Sequence, residues 1–216
     1  MKVMLYDTGV GVLPFLRSIF KQQKYNEYYL YMDDDVFPIG KKDQKFIINH
    51  LKFILNYACK KYDKIIIACN TISSYLKFID ITKYNIEIYS IFEENLKMLD
   101  DNTTFLATLG TLRNVNHPFV IDGSVLPSLI ERNQIKEIIN FVSKLELKTD
   151  KVILGCTHFP LIKFIFEDFF KNKIFISSED KIIEKLPNSG YISLDGNRKA
   201  KKYLVSYLNF SNKILC

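Results

Sequence analysis

Two cysteines carry the chemistry that this sequence can support. KIIIACNT (64–71) and KVILGCTH (151–158) repeat one pattern: an apolar, β-branched run, a small residue, a cysteine, then hydrogen-bonding side chains. A thiolate is both a base and a nucleophile. Two thiols on opposite sides of one carbon can take a proton from one face and return one to the other, which inverts a stereocentre. That operation calls for no metal and no organic cofactor. The sequence carries neither a Walker loop nor a complete GxGxxG, and GVGV (9–12), lacking the third glycine, reads as a backbone turn near an anion.

Each thiol needs a partner that tunes it. Asp7 closes an earlier apolar run and is placed to orient Cys69, while His158, two residues after Cys156, is placed to do the same for the second thiol. Asn70, Thr71 and Thr157 bring donors suited to a substrate carboxylate, helped by backbone N–H groups where helices begin after such loops. Taken singly, each feature has a plainer reading. A lone strand-end cysteine is usually a small buried hydrophobe, Asp7-Thr8-Gly9 makes a turn, and His158 caps a helix. Their joint recurrence at matched positions favours a site. Cys59 and Cys216 lack such a setting, and His50 and His117 read as structural or surface residues.

The elements that would hold these residues are legible as periodicity. Apolar, β-branched runs occur at 2–7, 28–33, 64–69, 86–91, 103–108, 151–156 and 173–177. Several are nearly continuous, as expected for strands covered on both faces of a parallel sheet. Between them lie helical stripes, one through Ile47, Leu51, Ile54 and Ala58 and another through Ile135, Ile138, Ile139 and Val142. The alternation predicts an α/β protein with two pseudo-symmetric lobes, mainly parallel sheets, and the site in the cleft between them. The expected division is 1–92 plus 187–216 for the first lobe, with Asp7 and Cys69, and 93–186 for the second, with Cys156. The stretch 195–210 reads as a terminal helix returning to the first lobe.

Composition narrows the class. With 216 residues, 48% of them hydrophobic, the chain can bury a substantial core. Polar residues break every apolar run well before the roughly 18 residues of a membrane helix, so no membrane association is expected. Asp7 falls where an export signal would need its apolar centre, which points to the cytoplasm. The four cysteines show no CxxC or zinc spacing and read as free thiols. The net charge of +6 comes from dispersed lysines, so no nucleic-acid partner is expected.

With these residues in place, the chain resembles the glutamate racemases, cofactor-independent enzymes of the aspartate/glutamate racemase superfamily. Asp7-Thr8-Gly9-Val10-Gly11 is similar to the family's DSGVGG, Pro38-Ile39-Gly40 to its PYG, Ala68-Cys69-Asn70-Thr71 to its ACNT, and 155–161 to its GCTHYPL. Fainter echoes are Ala107-Thr108 with Thr111, like ATxxT, and Pro127 to Glu131, like PLVE. The resemblance implies that Cys69 takes the α-proton of D-glutamate and Cys156 that of L-glutamate, with Asp7 supporting the first thiol and His158 the second. It implies that Thr8, the backbone at Ile39 and Gly40, Asn70, Thr71 and Thr157 hold the amino acid's polar groups. It also implies supply of D-glutamate for peptidoglycan. The histidine after the second Cys-Thr pair is the glutamate form of the motif rather than the aspartate form.

The sequence departs from that pattern at Thr8, where the family has serine, at Ile39 for tyrosine and at Val12 for glycine, and it is compressed between Thr111 and Cys156. Two other readings therefore stand beside glutamate racemisation: a racemase for aspartate or another amino acid, and a non-catalytic binding or regulatory protein. A homodimer is compatible with the resemblance, which fixes no assembly.

Overall fold

The computed structural model describes residues 1–204. The first part of the chain runs β1 (Lys2–Asp7), α1 (Leu13–Lys21), β2 (Glu27–Met32), α2 (Gln44–Ala58), β3 (Lys64–Ile67), α3 (Asn70–Ser73), β4 (Glu87–Ser90) and α4 (Ile91–Leu96). It continues through β5 (Thr103–Ala107), α5 (Leu109–Leu112), β6 (Val120–Asp122), α6 (Leu126–Glu131), α7 (Ile135–Val142) and β7 (Lys151–Gly155). It then forms α8 (Lys163–Phe169), β8 (Ile174–Ile176), α9 (Glu179–Glu184) and β9 (Ser193–Gly196), followed by a helix at 198–204.

The strands form two wholly parallel sheets, ordered β4-β3-β1-β2-β9 and β6-β5-β7-β8. Apart from β9, the second order is the first one repeated. In each sheet the opening strand is flanked by the second strand on one side and the third on the other, with the fourth beyond the third. The repeated cysteine motifs therefore sit at equivalent places, after β3 and after β7. Each follows a switch point in strand order, where ligands of open α/β sheets gather beyond the carboxyl ends.

Packing explains why the central runs are apolar throughout. Along β1, Val3 and Leu5 enter one core while Met4 and Tyr6 enter another; along β3, Ile66 and Ile65 divide in the same way. β5 and β7 repeat this, with Leu106, Val152 and Leu154 on one face and Phe105 and Ile153 on the other. Each such side chain contributes roughly 1.5–3 kcal/mol when fully buried. α2 starts at Asp43, whose carboxylate accepts from the Phe46 N–H at 2.8 Å, and it buries Ile47, Leu51, Ile54 and Ala58 as the periodicity predicts.

The second predicted stripe is only half correct. In α7, Ile138 and Val142 are buried, but Ile135 and Ile139 are each 40% exposed. This two-turn helix meets its neighbours along one narrow line, and the other pair points about 60° away around the helix axis. The terminal stretch is also corrected: Asp195 and Gly196 belong to β9, beside β2, and the helix starts at 198. Ala200 and Leu204 do join the first sheet's core, together with Ile182, Ile183 and Leu186. The remainder of the predicted helix, and Cys216, lie outside the described residues. Among the described residues, no helix is long and apolar enough to cross a membrane.

Candidate active site

Strand register brings the motifs together. Tyr6 pairs with Ile67, so Thr8 and Cys69 leave the first sheet side by side, just beyond Asp7; Ala107 pairs with Gly155, so Thr108 and Cys156 do likewise in the second. The carboxyl ends of the two sheets face one cleft. Asp7, Thr8, Ile39, Gly40, Cys69, Asn70, Thr71, Cys156, Thr157 and His158 all line it. So do Thr108, Thr111 and Pro127 from the fainter motifs, together with Phe37, which no sequence pattern marked.

Asp7 joins the two halves. Its Oδ1 accepts from the Gly9 N–H at 2.8 Å, making the predicted turn, and its Oδ2 accepts from Thr157 Oγ1 at 2.8 Å across the cleft. Burial raises its pKa, against the lowering effects of His158 and these two donors. Thr8 Oγ1 lies 3.6 Å from the Cys69 sulfur. Burial and the nearby Asp7 carboxylate push the Cys69 thiol far up, outweighing hydrogen bonds from Ile72 and Thr8. Cys69 is thus held protonated.

The second thiol has different company. His158 Nδ1 lies 3.9 Å from the Cys156 sulfur, and its Nε2 lies 3.1 Å from Glu131 Oε1. Burial works against charge on the ring, but hydrogen bonds to Cys156 and Glu131 and the negative charge of Cys156 and Asp7 raise its pKa to about 10. Glu131 is itself half-buried, which works against its charge, yet His158, the Val10 N–H at 2.8 Å and Lys199 hold its carboxyl below the usual range. His158 begins a turn at 159–162 but makes no side-chain cap, so the plainer reading does not describe its bonds. Its ring lies beside that of Phe37, with centroids 5.7 Å apart.

Close backbone approach makes these contacts possible. A Cβ on Gly9 would strike Glu131 Oε1 and stand 2.8 Å from His158 Nε2, and one on Gly11 would collide with Thr157 Oγ1 and lie 2.8 Å from Asp7 Cγ. The expected turn near an anion is thus a seam pressed against two carboxylates. Val12, where the family pattern has glycine, sits at an ordinary helical φ of −75°. On the other flank, Thr71 Oγ1 lies 3.0 Å from Thr108 Oγ1 and 3.1 Å from Thr111 Oγ1, so hydroxyls from both sheets meet. Gly40 packs against Gly110 there, and Ile39 is buried in the α2 core.

No protein-family model matches the chain. A glutamate racemase of Campylobacter jejuni is 29% identical over 229 aligned residues, which cover 93% of this chain and 90% of that protein. The chain is similar to the glutamate racemases in sequence. Another, from Buchnera aphidicola of Schizaphis graminum, is 27% identical over 98% of this chain and 92% of its own length. The crystal structure of the Campylobacter jejuni glutamate racemase superposes with a TM-score of 0.77 at 24% identity, covering 91% of each chain. The fold is therefore that of a glutamate racemase across both sheets.

Partners of the site residues were the part that sequence reading missed. The acidic residue of the fainter motif, Glu131, is the carboxylate on His158. Asp33 accepts from His50 Nε2 at 2.8 Å and Tyr6 OH at 3.3 Å behind the first sheet's strand ends, which gives His50 a defined bond rather than a free surface position. His117 is structural, with Nε2 2.6 Å from the Thr103 carbonyl. Cys59 lies away from the cleft, its thiol 3.5 Å from the Asn56 carbonyl.

Proposed function

We propose that the protein is an amino-acid racemase that interconverts L- and D-glutamate by two-base proton transfer between Cys156 and Cys69. The observation that carries this reading is the placement of the two thiols at equivalent strand ends of duplicated sheets, lining one cleft. The relatives named glutamate racemase support the choice of substrate.

Proton states favour a direction for the first step. A His158 imidazolium beside Cys156 stabilises negative charge on that sulfur, whereas Cys69 is held as the thiol. L-Glutamate then gives its α-proton to the Cys156 thiolate: the Cα–H bond breaks and S–H forms. The carbanion takes the Cys69 proton on its opposite face, leaving D-glutamate and a Cys69 thiolate. The reverse reaction starts from that state. Thr8 stabilises the Cys69 thiolate, Asp7 fixes Thr157, and Asn70, Thr71 and the backbone at Ile39 and Gly40 hold the carboxylates. Supply of D-glutamate for peptidoglycan is the role that follows.

The test follows optical rotation of L- and D-glutamate separately in deuterated water, with mass spectrometry for deuterium at Cα. Loss of signal with deuterium uptake is the expected result. Preference for aspartate in a parallel assay would reassign the substrate, and binding of an amino acid without exchange would favour the binding-protein alternative.

A further inference from the structure

Behind the cleft, a buried polar chain leads away from Asn70. Asn70 Oδ1 accepts from Asn95 Nδ2 at 2.7 Å, and Asn95 Oδ1 accepts from Ser178 Oγ at 2.5 Å. The three residues come from α3, α4 and the turn before α9, and none is more than 2% exposed. Asn70 Nδ2, the remaining arm of an amide that lines the cleft, has no hydrogen-bond partner among the described residues. A buried N–H without an acceptor is unfavourable, and native structures rarely keep one without a use.

Direction is what matters in such a chain. An amide can turn over and exchange its oxygen and nitrogen, so two series of bonds fit the same atoms. With Ser178 donating to Asn95 and Asn95 to Asn70, a donor emerges in the cleft. With every bond reversed, a carbonyl oxygen emerges, which would repel a carboxylate.

We infer that Asn95 and Ser178 are positioning residues that hold the Asn70 amide with Nδ2 turned toward a substrate carboxylate. This deepens the racemase reading and rests on it for the identity of the carboxylate. Ser178 also approaches Met98 Sδ at 3.9 Å, and it lies where the chain passes from β8 to α9. The orientation of a cleft amide is thereby tied to the crossing between the two sheets.

The discriminating variant is Asn95→Asp. An ionised carboxylate there can only accept, so Asn70 must turn its Nδ2 inward and present Oδ1 to the substrate. At pH 8.5, KM for glutamate should rise roughly tenfold or more with kcat little changed. Lowering the pH should restore KM, because the introduced carboxyl, once protonated, donates to Asn70 again. Ser178→Ala should raise KM several-fold. Side-chain amide exchange in ¹⁵N-labelled protein gives a second readout: the Asn95 pair should be protected in the parent, and the Asn70 pair in Asn95→Asp. Unchanged KM in both variants, or unchanged Asn70 exchange, would overturn the inference. A parent protein that turns over no amino acid but shows the switch in protection would sink the racemase reading and leave the amide orientation standing.

Discussion

Thr157 Oγ1 donates to Asp7 Oδ2 at 2.8 Å, joining the residues that follow β7 to the end of β1 across the cleft. The other oxygen of the same carboxylate is occupied by the Gly9 N–H. Asp7 therefore acts as a two-sided acceptor between the halves of the site. Replacing it with asparagine sets an NH₂ group against one of two donors and removes negative charge from beside Cys69. Asp7→Asn should reduce kcat roughly ten- to a hundredfold, the usual weight of a buried hydrogen bond to a charged group. Racemisation rates in both directions, with circular dichroism as the check on folding, measure it. A wild-type rate would demote the carboxylate to a turn-former.

The seam beneath that bond leaves no room for a methyl group. A Cβ on Gly9 would meet Glu131 and His158, side chains locked by their own bonds. Gly9→Ala should cost about 1–3 kcal/mol by overpacking and lower the melting temperature by several degrees. Gly190→Ala is an informative control: its glycine has φ +82° with nothing within 4 Å of the added carbon, so only backbone strain is felt there. The Gly9 variant should also lose activity, whereas Gly190→Ala should not.

What the sequence revealed follows from which forces are local. All seven predicted strands form, and the clearest of them, β1, β3, β5 and β7, are covered on both faces with unbroken apolar runs. β6 and β9 escaped notice: both are short edge strands with one neighbour each and exposed positions that break up any apolar run. In the site, the cysteines and the residues adjoining them stood out because one pattern occurs twice. Glu131 on His158, and Ser178 behind Asn95, depend on contacts between distant segments, and no periodicity records such a pairing.

His158 gives the protein a pH signature. In the folded state its proton is held to about pH 10, whereas in the unfolded chain a histidine loses it near 6.5. Between those values the folded state binds more protons, so stability falls as pH rises. The contribution is complete below about 6.5, is lost through about 10, and is on the order of a few kcal/mol. Denaturant melts across this range should show the decline, and Glu131→Gln should make it shallower. L-to-D activity should fall over the same alkaline limb as the imidazolium beside Cys156 is lost. A flat stability profile in the parent would place the proton elsewhere.

The two thiols lead to a prediction about isotopes as well as rates. In the proposed mechanism each direction of racemisation uses one sulfur as base and the other as acid, so Cys69→Ala and Cys156→Ala should each abolish turnover of both enantiomers, by at least roughly a thousandfold. In deuterated water the parent should place deuterium in newly formed D-glutamate while recovered L-glutamate stays unlabelled at early times. The proton taken by Cys156 and the deuteron given by Cys69 belong to different sulfurs and do not mix on one face. A single base serving both faces would label recovered substrate and product together. That labelling pattern, or full activity in either alanine variant, would rule out the two-thiol mechanism.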